Sequence, residues 1–140
     1  MRLWHYKLLP VLPDKFIIAE WRECIAIKRQ WEKGTLKHRL VSYVKNYNRN
    51  YFTVYVFSVI SEMKKRNIKY QEKYWDEICW FNTDDVLITG VLHYPEHDDR
   101  YLKQCLYNLQ EKYDRGIISE EEWKPIDKFW QHVIASENDE

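Results

Sequence analysis

The residues best suited to chemistry lie close to the amino terminus, where Met1-Arg2-Leu3-Trp4-His5 precedes the block Ala19-Glu20-Trp21-Arg22-Glu23. A protein α-amine has an ordinary pKa of about 7.7 to 8.0, against about 10.4 for lysine, so a useful fraction is unprotonated at neutral pH. Such an amine can form a Schiff base without a buried lysine. A carboxylate beside it can steady the cationic imine or move protons, the usual division between a nucleophile and its acid or base. Met1 and Glu23 are the candidates, provided that the chain folds back to bring them together. The unreactive alternative is a solvated helix face, on which Arg22 and Glu23 form surface pairs worth about 0 to 1 kcal/mol.

Other constellations compete for attention. His93, Glu96 and His97, followed by Asp98 and Asp99, have the ligand types of a metal site. Pro95 stands between the histidines and argues against the helical face that an H-x-x-x-H pair needs, so a loop or a substrate contact is the better expectation and no metal is assigned. His5 is placed beside any α-amine chemistry, although a core or capping role is open to it as well. Cys24, Cys79 and Cys105 are odd in number and widely spaced, with no C-x-x-C, which fits buried thiols in a reducing compartment. Phosphate-cradle and serine-hydrolase motifs are missing. No cofactor is expected.

These groups need a scaffold, and 140 residues with 45% hydrophobic and 16% aromatic content are enough for one core. Only 3 Gly and 4 Pro argue against a many-turned β protein. Lys plus Arg and Asp plus Glu number 22 each, so a polyanion would have to be held by a local patch. Charges interrupt the first twenty residues and no later run is long enough to span a bilayer, so a soluble cytoplasmic protein is expected.

The periodicity predicts an all-α fold, a single helical domain over residues 1–136 with a frayed acidic tail at 137–140. The first helix runs from about Asp14 to Lys33 and stops at Gly34, with Ile17, Trp21, Cys24, Ile25 and Trp31 as its apolar stripe. Ala19 and Ala26 flank Arg22 and Glu23 on another side and leave room for an approaching group. A short helix is expected between about Lys37 and Tyr47. Phe52, Tyr55, Val56, Val59, Ile60 and Met63 mark a central helix, with Lys64, Lys65 and Arg66 at its negative end and Asn67 as a left-handed cap. Tyr70, Tyr74, Ile78 and Phe81 suggest another short helix, and Val86 to Tyr94 reads as a loop or a short extended piece. Leu102, Cys105, Leu106, Leu109 and Tyr113 predict a helix ending at Gly116. A capping box of Ser119 and Glu122, with Ile118 and Trp123 as its staple, opens the last helix, which Pro125 should kink or break.

Leu12, Asp14, Ala19, Glu20, Arg22 and Glu23, with the aromatic Trp21 among them, resemble the first helix of the phage-type pyrimidine-dimer DNA glycosylase and abasic-site lyase family. The likeness continues through Glu62-Met63-Lys64-Lys65-Arg66-Asn67-Ile68, near Tyr94-Pro95-Glu96-His97 and along Leu109-Gln110-Glu111-Lys112. The resemblance implies a small helical fold with the N-terminal segment packed beside the first helix. It also implies attack of the terminal amine on sugar C1′, loss of the base through an imine assisted by a helix glutamate, and strand breakage by β-elimination. Glu23 matches that glutamate and Arg22 its DNA-contacting neighbour.

The family exposes a small threonine followed by arginine, whereas here Arg2 directly follows Met1. A large second residue should preserve Met1, so Met1 is expected to supply the amine with Arg2 in the arginine's place. The next basic position of the family is Ala26 here, and Arg29 stands almost a turn further on. Arg2, His5, Arg22, Arg29 and Lys65 are thus the expected contacts to substrate or phosphate, and damaged or abasic DNA the expected partner. Two alternatives remain: a free nucleoside or nucleotide bound or processed in the same pocket, and a non-catalytic helical interaction module.

Overall fold

A computed structural model describes residues 1–78 and 92–138, and among them it is entirely helical and forms one compact domain. After residues 1–5, which form no regular element, Tyr6–Val11 form a 3₁₀ turn, followed by α1 (Asp14–Lys33). A second 3₁₀ turn (Ser42–Asn46) leads to α2 (Arg49–Lys65) and α3 (Glu72–Ile78); beyond residue 91 come α4 (Asp99–Asp114) and α5 (Glu120–Asn138).

The local signals for α1 act as their chemistry predicts. Asp14 lies at the positive end of the helix, and Ile17, Trp21, Cys24 and Ile27 are buried along one face. Gly34 ends the helix in the left-handed region at φ 73°, where a Cβ is disfavoured. α2 is the central element. Phe52, Thr53, Val56, Val59 and Met63 are buried along it, and it packs against α1, the first 3₁₀ turn and the second. Asn48 caps its start by accepting from the Asn50 amide at 2.9 Å, and Asn67 takes the left-handed position after its end at φ 59°.

Arg66 ties the end of α2 to the N-terminal region. Its guanidinium donates to Glu62, to Asp14 at 2.9 Å and to the carbonyls of Leu9, Pro10 and Leu12. These are carbonyls that the Pro-containing 3₁₀ turn leaves without helical partners.

Three features differ from what local sequence predicts. The helix expected over 37–47 is only the 3₁₀ turn Ser42–Asn46, stabilised by Lys45 donating to the Leu36 carbonyl at 2.6 Å. Pro125 does not break α5. Ile126 is fully buried, Trp123 stacks on Tyr113 at 4.9 Å and Trp130 packs edge-on against Tyr107, so tertiary packing overrides the local penalty of about 3 kcal/mol. The last helix also continues through Glu137, which pairs with Lys103 at 2.7 Å, to Asn138.

The Ser119–Glu122 capping box forms in both directions, at 2.9 and 3.2 Å. α3 spans Glu72–Ile78, so it includes Tyr74 and Ile78 of the expected short helix while Tyr70 precedes it. The part of that helix expected up to Phe81, Cys79 and the reading of 86–91 fall outside the described residues.

Candidate active site

The N-terminal segment is held by two tyrosines far away in sequence. Tyr55 of α2 donates its hydroxyl to the Trp4 carbonyl at 2.7 Å, and Tyr101 of α4 donates to the Leu3 carbonyl. Leu3 and Trp4 bury their side chains in the core. The chain is thus fixed just behind its first two residues, and these lie against α1: the Arg2 amide donates to Glu23 Oε2 in a long hydrogen bond of 3.4 Å. The Arg2 guanidinium sits over the rings of Trp4 and Tyr101, 5.8 and 5.9 Å from their centroids.

Beneath this junction lies Glu20, one helical turn before Glu23 on α1. It is 1% exposed, and neither carboxyl oxygen meets a hydrogen-bond partner among the described residues. Burial, reinforced by the Glu23 carboxylate, raises its pKa well above the usual carboxylate range, while the Trp4 amide, the terminal amine and Arg2 act the other way. A buried carboxyl without partners is costly to ionise, which is the physical cause of that upward shift. Burial also raises the Cys24 and Tyr55 pKa values, and both groups feel Glu20.

His5 is not at the surface of this site. Its ring is 1% exposed, Nδ1 accepts from the Lys7 amide at 3.1 Å, and it stacks with Tyr6 and His97. Burial lowers its pKa to about 4. His97 accepts or donates through Nε2 to Tyr43 at 2.7 Å, with its pKa lowered by burial to about 3. Glu96 accepts from the Tyr47 hydroxyl at 2.8 Å, and His93 stacks flat on Tyr6 at 3.5 Å. The histidine-rich stretch therefore joins a Tyr–His cluster supporting the first 3₁₀ turn.

The basic candidates fall in different places. Arg22 is exposed and lines a groove of about 380 Å³ between α1 and α3, together with Arg29, Lys69, Trp21, Tyr70 and Tyr74. Arg22 and Lys69 form no ion pair among the described residues, so both are available to an anion. Arg29 is held by Glu77 through two bonds of 2.7 and 3.1 Å. Lys65 is 74% exposed on its side chain and lies toward Glu62, at 3.9 Å. Its neighbour Arg66 is bonded to Asp14, and Glu23 lies nine residues further along α1, about 14 Å by helical rise. The Arg2 amide is therefore brought to Glu23, with Met1 next to it in the chain; Arg22 lines the α1–α3 groove, and Lys65 is remote.

Glu20, Tyr55 and Tyr101 complete the site, and sequence reasoning assigned none of them a role. A signal existed for Glu20, since it falls between Ile17 and Cys24 on the buried stripe of α1, where a carboxylate is out of place. Nothing local signals the tyrosines.

Among curated proteins and among solved structures, none matches this chain. The sequence model of the pyrimidine dimer DNA glycosylase family matches residues 1–76, which include the N-terminal segment, α1, α2 and most of α3, while Tyr101 of α4 lies outside the match. With more than half of its 140 residues covered, the chain belongs to the pyrimidine dimer DNA glycosylase family.

Proposed function

We propose that the protein is a DNA glycosylase and abasic-site lyase that works through a Schiff base between the Met1 amine and sugar C1′, with Glu23 assisting. The observation that carries this reading is the contact of the Arg2 amide with Glu23, because Arg2 is the residue next to the terminal amine. The unprotonated amine adds at C1′ and the base departs with the bonding electron pair. Glu23 moves protons and steadies the imine. In the lyase step a proton leaves C2′ and the 3′ phosphate leaves as the conjugated product forms. Arg22 and Lys69 hold phosphate beside the groove; Arg29 contributes only when Glu77 yields it, and Lys65 lies too far from Glu23 to share the same phosphate.

The substrate is damaged or abasic duplex DNA, from which the nucleotide must be turned out of the stack at a few kcal/mol, least at a damaged site. Free nucleotides are a second candidate, favoured by the balance of 22 basic and 22 acidic side chains. No described helix is long and apolar enough to cross a membrane. Buried free thiols at Cys24 and Cys105 suit the reducing cytoplasm.

Two measurements test the reading together. Intact mass should show Met1 retained with a free amine. Binding to abasic duplex should weaken steeply with salt and exceed binding to free nucleotides. A missing or blocked Met1 would remove the proposed nucleophile, and salt-independent binding confined to free nucleotides would move the substrate to the second candidate.

A further inference from the structure

The groove between α1 and α3 has a chemistry that the proposed reaction uses only at its edge. Its volume of about 380 Å³ falls within the range of small-ligand clefts, about 300 to 1,000 Å³. Arg22, Ile25 and Arg29 recur along one face of α1, so the two arginines stand about 10 Å apart along the groove by helical rise. Trp21 and Met63, both buried, supply apolar lining, and Lys69, Tyr70 and Tyr74 add the residues leading into and along α3. Arg22, Arg29 and Lys69 are thus its charged groups, and among the described residues no carboxylate lines it. Two other grooves of similar size mix a cation with carboxylates: Lys7 with Asp99 and Glu137, and Arg66 with Asp14, Glu121 and Glu122. In a chain with 22 basic and 22 acidic side chains, the α1–α3 groove is the local patch that a polyanion requires.

The tyrosines narrow the kind of polyanion. Tyr74 already has cations over its ring, Arg29 at 5.7 Å and Lys73 at 5.0 Å from the centroid. Tyr70 is half-buried and meets Trp21 edge-on, with centroids 5.8 Å apart, and has no cation over its ring among the described residues. A paired base is covered by its neighbours in the stack and offers a protein only its edges. An aromatic ring set between cations suits a base that is out of the stack, and stacking of that kind is tolerant of sequence. We propose that the α1–α3 groove binds an unpaired DNA strand, with a base stacked on Tyr70 and its phosphates on Arg22 and Lys69. This rests on DNA as the substrate, and it makes lesions in already opened DNA the preferred targets over lesions in fully paired duplex. A free nucleotide has its charge on one phosphate and would use only one end of the groove. Glu77, bonded to Arg29 at 2.7 and 3.1 Å, competes with a further phosphate for that arginine and so limits the grip of the groove.

Equilibrium binding of lesion-free DNA to the full chain, followed by fluorescence anisotropy over a range of salt concentrations, tests this. The labelled probes have equal length: a single-stranded oligothymidylate, its duplex with oligoadenylate, and a single strand of reduced abasic residues, which keeps the phosphates, lacks the bases and cannot form an imine. The oligothymidylate should bind about 10-fold more tightly than the base-free strand, the size of effect that one base–aromatic stack produces. It should also bind more tightly than the duplex. Tyr70→Ala should lower its affinity to that of the base-free strand without weakening the base-free strand itself, and Tyr70→Phe should keep the wild-type affinity. Glu77→Gln should tighten both single strands and steepen their salt dependence by about 0.7, the increment of one further phosphate contact. Equal affinity for the two single strands, tighter binding of the duplex, no binding of any probe, or displacement of the oligothymidylate by equimolar thymidine 5′-monophosphate overturns the inference. The comparison of the two single strands uses the wild type alone, so it decides the matter even if Tyr70→Ala does not fold. No covalent step takes part: base-dependent binding without an adduct in borohydride trapping refutes only the imine reading, and an adduct without base-dependent binding refutes only this inference.

Discussion

Removing the tyrosine hydroxyls that hold the N-terminal segment should separate placement of the amine from stability of the fold. Tyr55→Phe deletes a buried hydrogen bond to the Trp4 carbonyl. A neutral bond of this kind contributes about 1 kcal/mol net, and the orphaned buried carbonyl adds about 1 to 3 kcal/mol of lost solvation. A loss of about 2 kcal/mol is expected. Tyr101 is only partly buried, so Tyr101→Phe should lose nearer 1 kcal/mol. The side chains of Leu3 and Trp4 remain in the core in both variants, so the segment stays docked and only its fine placement relaxes. Fine placement matters to a nucleophile, since about 1 Å of misplacement can lower a rate about 10²-fold. Urea unfolding and the rate of imine trapping on abasic duplex are to be measured for both single variants and the double variant. The trapping loss should exceed the stability loss, and the two changes should be non-additive by more than about 0.5 kcal/mol because both act on one segment. Variants that stay within about 0.5 kcal/mol of wild type and trap at its rate would refute the idea that these hydroxyls position the terminus.

Arg66→Ala should lower stability by about 2 to 4 kcal/mol in urea unfolding, because it leaves Glu62 and several carbonyls of the N-terminal turn without their donor; a loss under about 1 kcal/mol would mean that the turn holds itself. Arg22→Ala should leave stability within about 0.5 kcal/mol while weakening DNA binding across all sequences and reducing the salt slope by about 1. An unchanged slope would take Arg22 off the phosphate. Acid should destabilise the fold through His5 and His97. Their folded pKa values of about 4 and about 3 lie below the unfolded 6.5, so their contribution is present above pH 6.5 and lost as pH falls, by about 1 to 2 kcal/mol apiece at pH 5. Glu20 has the opposite sign, its raised pKa removing stability as pH rises above the ordinary carboxylate range. Denaturation midpoints at pH 8 and pH 5 should therefore fall more steeply with acid in Glu20→Leu than in the wild type; parallel midpoints would contradict the Glu20 assignment, and midpoints in Glu20→Leu that do not fall with acid would contradict that of the histidines.

The elements were legible wherever a local rule sufficed. The stripe of Ile17, Trp21 and Cys24, the left-handed Gly34 and Asn67, and the reciprocal Ser119–Glu122 box depend on residues within a few positions of one another. The helix expected over 37–47 and the break expected at Pro125 failed because packing decided them. The site divides in the same way. The Ala19–Glu23 block was visible as a carboxylate-bearing face, but the contacts that organise it join Trp4 to Tyr55, Leu3 to Tyr101 and Arg29 to Glu77, across 51, 98 and 48 positions. Pairings over such separations follow from the tertiary fold, so no window of sequence contains them. For His5 the fold takes the core and capping role that the sequence also offered, burying it as the cap of the first 3₁₀ turn, and not the substrate contact.

The central claim is covalent chemistry at the terminal amine assisted by Glu23, and borohydride trapping tests it most directly. The purified protein with its native terminus would be reacted with abasic and ultraviolet-irradiated duplex, beside Glu23→Gln and an N-terminally blocked control. The account predicts an adduct on the wild type that maps to Met1, is abolished by blocking the amine and is strongly reduced in Glu23→Gln. No adduct from protein with a verified free Met1 amine, or one that survives blocking, would contradict it.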